Sequence, residues 1–183
     1  QKTGLHDSVV SGLASVNSVP VAIAVSDFAF MGGSMGAVAG EKIARTFDRG
    51  IETKAPVVLF CCSGGARMQE GLVSLMQLPK TIGAVESLRQ AGLPYIAIFT
   101  DPTMAGVLAS YASVADIILS EPKALVGFAG ARVSAQAGVS KTADNNQTAE
   151  EAFRHGMIDK IVPRKEMRAV LGNLLALLSG GHC

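Results

Sequence analysis

The sequence has no tryptophan, and aromatic residues of all kinds fill only 5% of its 183 positions. A surface that stacks nucleobases needs more rings than that, so no nucleic-acid partner is expected. Charge is sparse too: 17% of residues are charged and the net charge is +1. That balance offers no field to draw in a polyanion or an anionic membrane. No apolar run approaches the ~20 residues of a spanning helix, because Gly, Pro or a charge interrupts each one. The opening residues Gln1-Lys2-Thr3-Gly4-Leu5-His6-Asp7 lack the apolar centre of a secretory signal. No membrane association and a cytoplasmic location are therefore expected. Cysteine is scarce: Cys61, Cys62 and Cys183 show no Cys-x-x-Cys spacing, so neither a disulfide framework nor a metal site is expected in this chain. Adjacent Cys61 and Cys62 point to opposite faces of a strand. They read as small core residues in a reducing compartment, with a reactive thiol at Cys62 as the lesser alternative.

What is abundant is apolar surface, 49% of residues. That exceeds the needs of a small soluble core and points to a partner interface as well. The length suits one domain, residues 1–183, with a substantial core. Apolar runs 21–25, 57–61, 95–100 and 116–120 read as strands covered on both faces. Helical stretches separate them: one to about Arg49, one from Met68 to Leu88 that Pro79 should kink or break, and a short one to Ser113. Leu125-Val126-Gly127-Phe128 reads as a short strand, and residues 134–146 as a polar loop. A helix from about Thr148 to His155-Gly156 follows, then a strand over 158–162 and a closing helix that Pro163 opens. Alternating strands and helices predict an α/β fold with mostly parallel pairing.

Two glycine-rich turns about forty residues apart carry the clearest chemical signal. Ser63-Gly64-Gly65-Ala66-Arg67-Met68 follows the strand at 57–61, and Pro102-Thr103-Met104-Ala105-Gly106-Val107 follows the strand at 95–100. Each reads as strand, tight turn, helix, an arrangement that presents bare N–H groups and a helix N-terminus. Facing each other, two such turns form an oxyanion hole, with one donor from Gly65 or Ala66 and one from Ala105 or Gly106. The plain alternative is a pair of ordinary strand-to-helix connections. Gly32-Gly33-Ser34-Met35-Gly36 also precedes a helix and could cradle a phosphate or a pantetheine arm. Arg67 either binds an anionic ligand or pairs with Glu70 one turn on. Lys42, Lys80 and Arg132 are further basic candidates, and His155 reads as structural.

Several long motifs resemble the β subunit of bacterial acetyl-CoA carboxylase carboxyltransferase. They are residues 27–36 (DFAFMGGSMG), 63–71 (SGGARMQEG), 100–104 (TDPTM), 121–130 (EPKALVGFAG) and 155–159 (HGMID). The similarity runs from about Leu5 to Leu178. The resemblance implies a crotonase-like ββα superhelix. It also implies an acyl-CoA thioester as substrate, contacted by Gly33, Ser34, Met35, Gly36, Gly64, Arg67, Phe128 and Gly130. The carboxyl donor would be carboxybiotin on a biotin carboxyl carrier protein. An α-type carboxyltransferase subunit would complete the site in an α2β2-type hetero-oligomer. The expected chemistry is an enolate held by Gly65, Ala66, Ala105 and Gly106, with the ureido nitrogen of biotin taking the proton.

Three departures from that pattern are visible. The four-cysteine zinc ribbon with which the family subunit usually begins is absent from this sequence. Ala105-Gly106 stands where the family has two glycines. Residues 131–146 lack the usual Arg-Val-Ile-Glu-Gln and Leu-Pro features. A hydratase of the same superfold would place two carboxylates after the turns, and neither Gly106-Val107-Leu108-Ala109-Ser110 nor residues 127–132 holds one, which disfavours enoyl hydration. A decarboxylase or hydrolase of a CoA or carrier-protein thioester that uses no biotin stays open, as does a non-catalytic scaffold subunit.

Overall fold

A computed structural model describes residues 3–128 and 147–178. The strands β1 (Val9–Val16), β2 (Val19–Ser26), β3 (Val57–Ser63), β4 (Tyr95–Met104), β5 (Ile117–Ser120) and β7 (Lys160–Ile161) lie in that order in one sheet, and β6 (Val126–Gly127) pairs with β4. Only the β1–β2 pair is antiparallel; every other neighbouring pair is parallel. The helices are α1 (Ala37–Thr53), α2 (Leu72–Leu75), α3 (Gln77–Gln90), α4 (Ala105–Val107), α5 (Ala149–Arg154) and α6 (Arg164–Leu178).

The near-continuous apolar strands are buried on both faces, as a parallel sheet requires. On one face Ala24, Leu59, Ala97 and Phe99 pack with Ile43 and Phe47 of α1 and Val85 and Leu88 of α3. On the other, Val21, Val58, Ile96, Ile98 and Leu119 pack with Met167, Leu171 and Leu175 of α6. Burying one Leu or Ile here is worth about 1.5–3 kcal/mol. Phe47 and Tyr95 meet edge to face with ring centroids 4.9 Å apart, a favoured aromatic geometry.

Pro79 breaks the helical stretch as expected, at its i−4 residue: α2 ends at Leu75, whose carbonyl Pro79 has no N–H to meet, and α3 begins at Gln77. A further break comes earlier: a 3₁₀ turn over Met68–Glu70 ends at Gly71, whose φ of +53° separates it from α2. Strand β1 is an addition to the sequence reading. It is joined to β2 by Asn17 and Ser18, both at positive φ (47° and 69°), the backbone of a two-residue hairpin turn. Residues 129–146 and 179–183, which include Gly130, Arg132 and Cys183, lie outside the described residues. Among the described residues no helix is long and apolar enough to cross a membrane.

Candidate active site

Strands β3 and β4 are parallel neighbours, so the turns that follow them leave the same edge of the sheet side by side. Their pairing slips between Cys61–Phe99 and Ser63–Thr103. The hydroxyls of Thr100 and Thr103 both donate to the Cys61 carbonyl, at 2.9 and 2.8 Å, and so fasten the end of β4 to the irregular stretch of β3. The second turn begins later than its composition suggested. Pro102 to Met104 continue the strand, and Thr103 and Met104 pair with Val126 and Gly127 of β6.

The turns meet at Gly65 and Ala66 on one side and Ala105 and Gly106 on the other. A Cβ built on Gly106 would lie 3.5 Å from the Ala66 amide nitrogen, and one on Gly65 would lie 3.5 Å from the Gly106 nitrogen. Gly65 has φ +122°, a conformation open almost only to glycine. Its own N–H donates to Ser63 Oγ at 3.0 Å, so Gly65 is the weaker of the two donors expected from this turn. Ala66 is different. It forms a parallel bridge with Met35, in which Met35 N–H donates to Gly65 O and Arg67 N–H donates to Met35 O, both at 2.9 Å. In such a bridge the N–H of Ala66 itself faces away from Met35, and it donates to no described residue. Gly106 lies in the first turn of α4, where the N–H has no acceptor within the helix. The structure therefore brings together the amides of Ala66 and Gly106. Behind the second turn α4 runs directly into a wider helical turn over Leu108–Ala112, the short helix expected there, while behind the first turn stands only a 3₁₀ turn.

Ala105 has φ +49°. An alanine methyl resists this conformation, yet the chain adopts it, at a cost of about 1–2 kcal/mol for a left-handed L-residue.

The glycine loop differs from its expected role. Gly33 is buried, and a Cβ there would collide with Cys62 O at 2.0 Å. Gly64 N–H donates to Gly32 O at 2.9 Å. A Cβ on Gly36 would stand 2.2 Å from Glu70 Oε1, and Met35 is 1% exposed. Gly33, Met35 and Gly36 are thus packed against the first turn as its support, and the loop presents no open cradle for a phosphate.

Arg67 is corrected as well. It is 6% exposed and uses all five of its N–H donors. Nε donates to Ser34 Oγ, Nη1 to Asp7 and Glu70, and Nη2 to Asp7 and the Ser34 carbonyl. Both carboxylates raise its already high pKa. No donor remains for a CoA phosphate. Burial pushes the Asp7 carboxyl up, but hydrogen bonds from Arg67 and from Ser8 N–H, with the guanidinium charge, outweigh this and hold it below the ordinary range. Asp7 is what sequence reading missed; it lies 60 residues from Arg67, and no local signal pairs them.

The remaining basic candidates are engaged: Lys42 donates to Val9 O at 2.7 Å and Lys80 pairs with Glu41. Phe128 is 70% exposed at the end of β6, beside the second turn. Cys62 donates to Asp101 O at 3.2 Å and its thiol is pushed up by burial, the opposite of a reactive thiolate. Among the described residues no cluster of three or more His, Cys, Asp or Glu could hold a metal ion. A separate cavity of about 610 Å³ opens between the sheet and α6, floored by Ile23, Phe60 and Leu171 and edged by Asp101, Glu121 and Arg164.

The chain is 53% identical over 175 residues to the acetyl-coenzyme A carboxylase carboxyl transferase subunit beta of Synechococcus sp. strain CC9311, covering 96% of this chain and 60% of the relative. It is 50% identical over 178 residues to the subunit of the same name from Brucella canis, covering 97% and 59%. The chain thus spans about three fifths of the length of these relatives. Among solved structures it superposes on a chain of the Pseudomonas malonate decarboxylase MdcD–MdcE heterodimer with TM-score 0.81 and 26% identity, over 94% of this chain and 78% of that one. Transcarboxylase 12S with methylmalonyl-coenzyme A bound matches with TM-score 0.80 and 29% identity, over 92% and 33%. The architecture is the crotonase-like α/β fold that the motifs implied. The carboxyl transferase domain matches residues 1–159, and the chain belongs to that family.

Proposed function

We propose that this chain is the β-type part of a biotin-dependent acyl-CoA carboxyltransferase, moving a carboxyl group between carboxybiotin and an acyl-CoA such as acetyl-CoA. The observation that carries the reading is the meeting of the two turns, where the Ala66 and Gly106 amide nitrogens each lie 3.5 Å from a β-carbon built on the glycine opposite. Loss of an α-proton from a thioester places negative charge on the carbonyl oxygen. Two preorganised donors at that oxygen are worth several kcal/mol in the transition state. Among the described residues, those around the gap hold no paired acid and base, which suits a reaction whose proton goes to the ureido nitrogen of biotin.

The second wall of the site would come from an α-type subunit in an α2β2-type assembly, and the carboxyl from a biotin carboxyl carrier protein in the cytoplasm. An apolar stretch beside the first turn supports this: Met68, Leu72, Leu75 and Met76 are 89%, 70%, 51% and 55% exposed. Clustered exposure of this kind marks an interface. The malonate decarboxylase likeness supports a second reading, decarboxylation without biotin. Transfer from malonyl-CoA to free biotin by the full-length chain with its partner separates the two. Biotin-dependent loss of malonyl-CoA is expected, and equal turnover with and without biotin would favour the decarboxylase.

A further inference from the structure

We infer that Arg67 is a positioning residue for this reaction: clamped by Asp7 and Glu70, it sets the aim of the Ala66 amide and thereby the rate of the chemical step. This rests on reading Ala66 and Gly106 as the oxyanion donors. The aim of the Ala66 N–H is fixed by the bridge to Met35, and Met35 is held on both sides by the Arg67 network. On its N-terminal side the Ser34 carbonyl accepts from Arg67 Nη2 and from Ser8 Oγ, each at 2.9 Å, and Ser34 Oγ accepts from Nε. On its C-terminal side the Ala37 N–H donates to Glu70 Oε2 at 2.6 Å, while Oε1 of the same carboxylate accepts from Arg67 at 2.8 Å. Asp7 completes the arrangement with two bonds to the guanidinium, at 2.9 and 3.0 Å. Side chains of Asp7 and Arg67 are 5% and 7% exposed, so water does not replace a lost bond. The loop, the turn and the start of α1 therefore share one planar cation.

The planar fork matters, not only the charge. Lysine would keep the positive charge but could not span Ser34, Asp7 and Glu70 in fixed directions. The test uses the full-length chain in its complex, following carboxyl transfer from malonyl-CoA to free biotin. Arg67→Lys, Asp7→Asn and Glu70→Gln are compared with Gly106→Ala, which adds a methyl at the gap. We expect the three network variants to lower kcat about ten- to a hundredfold, the scale of a small misplacement, with KM for malonyl-CoA within about threefold. A purely structural role would lower the folded fraction and leave kcat per folded site unchanged. If folded network variants keep kcat while Gly106→Ala loses turnover, the positioning role is overturned and the oxyanion reading stands. If Gly106→Ala also keeps full turnover, the oxyanion reading falls and this inference with it. Should Arg67→Lys not fold, the two isosteric variants decide; failure of all three to fold assigns the network to stability and overturns the proposal.

Discussion

A β-carbon placed on Gly65 would stand 2.7 Å from the β-carbon of Ala105. Contacts that close do not occur between real β-carbons, so at this crossing the two turns accept one side chain and not two. The chain puts the alanine on the second turn, at φ +49°, and keeps glycine on the first, at φ +122°.

Ala105→Gly should therefore stabilise the protein. Relief of the left-handed strain, less the added freedom of the unfolded chain, leaves a gain of about 0.5–1 kcal/mol, measured by urea unfolding. Gly65→Ala should destabilise, and by less in the Ala105→Gly background because the clash is gone. Strictly additive effects would show that the two residues do not touch.

The same substitution tests what the methyl does in turnover. Rates on acetyl-, propionyl- and malonyl-CoA, with and without biotin, are the measurement. If the methyl shapes the acyl pocket, glycine shifts selectivity by about 1–3 kcal/mol between substrates that differ by a methylene. If it obstructs the gap, glycine raises activity on acetyl-CoA. Identical kinetics on all three would remove Ala105 from the neighbourhood of the reacting group.

Gly106→Ala should separate activity from folding. The nearest atoms to the new methyl are Ala66 N and Leu78 Cδ1 at 3.5 Å, ordinary contact distances. The thermal midpoint should stay close to that of the parent. Turnover should fall about a hundredfold or more, the scale of losing one oxyanion donor.

Acid should loosen the Arg67 network first. The Asp7 carboxyl is held below its ordinary range in the folded protein, so its contribution is complete above the unfolded value of about 4 and is lost as pH falls through the lower folded value. Asp7→Asn should be less stable than the parent at pH 7, by about 3 kcal/mol if the buried pair behaves as others do. The difference should shrink as pH drops below 4. A constant difference from pH 7 to pH 2 would deny the link.

Cys62→Ala should retain turnover close to that of the parent, and neither Cys61 nor Cys62 should be alkylated in the native protein at pH 8. Burial pushes both thiols up. Abolished turnover in a folded Cys62→Ala protein would restore a role for the thiol.

Much of the fold was legible because parallel strands buried on both faces leave unbroken apolar runs, as at Val57-Val58-Leu59-Phe60-Cys61. Strand β1 was not, since an edge strand with residues 10–15 exposed carries no such run. The two turns stood out by composition, and their adjacency follows from neighbouring parallel strands. Three features of the site lay out of reach. The choice of Ala66 over Gly65 depends on where the Ser63 hydroxyl points. The use of Gly32–Gly36 as a buttress depends on β3 passing 2.0 Å from a β-carbon that Gly33 does not have. The capture of Arg67 by Asp7 depends on a contact across 60 residues.

The amides in the gap belong to the main chain, and this shapes how heredity can reach them. No codon change deletes a peptide N–H short of proline. Variation at 106 can only add atoms beside the amide or bend the chain that presents it, and variation at 66 can do the same or trim a single methyl. Damaging alleles should then be gains of volume at the crossing, or losses at distant sites such as Asp7. A scan that truncates side chains to alanine one by one would pass over residue 66 altogether.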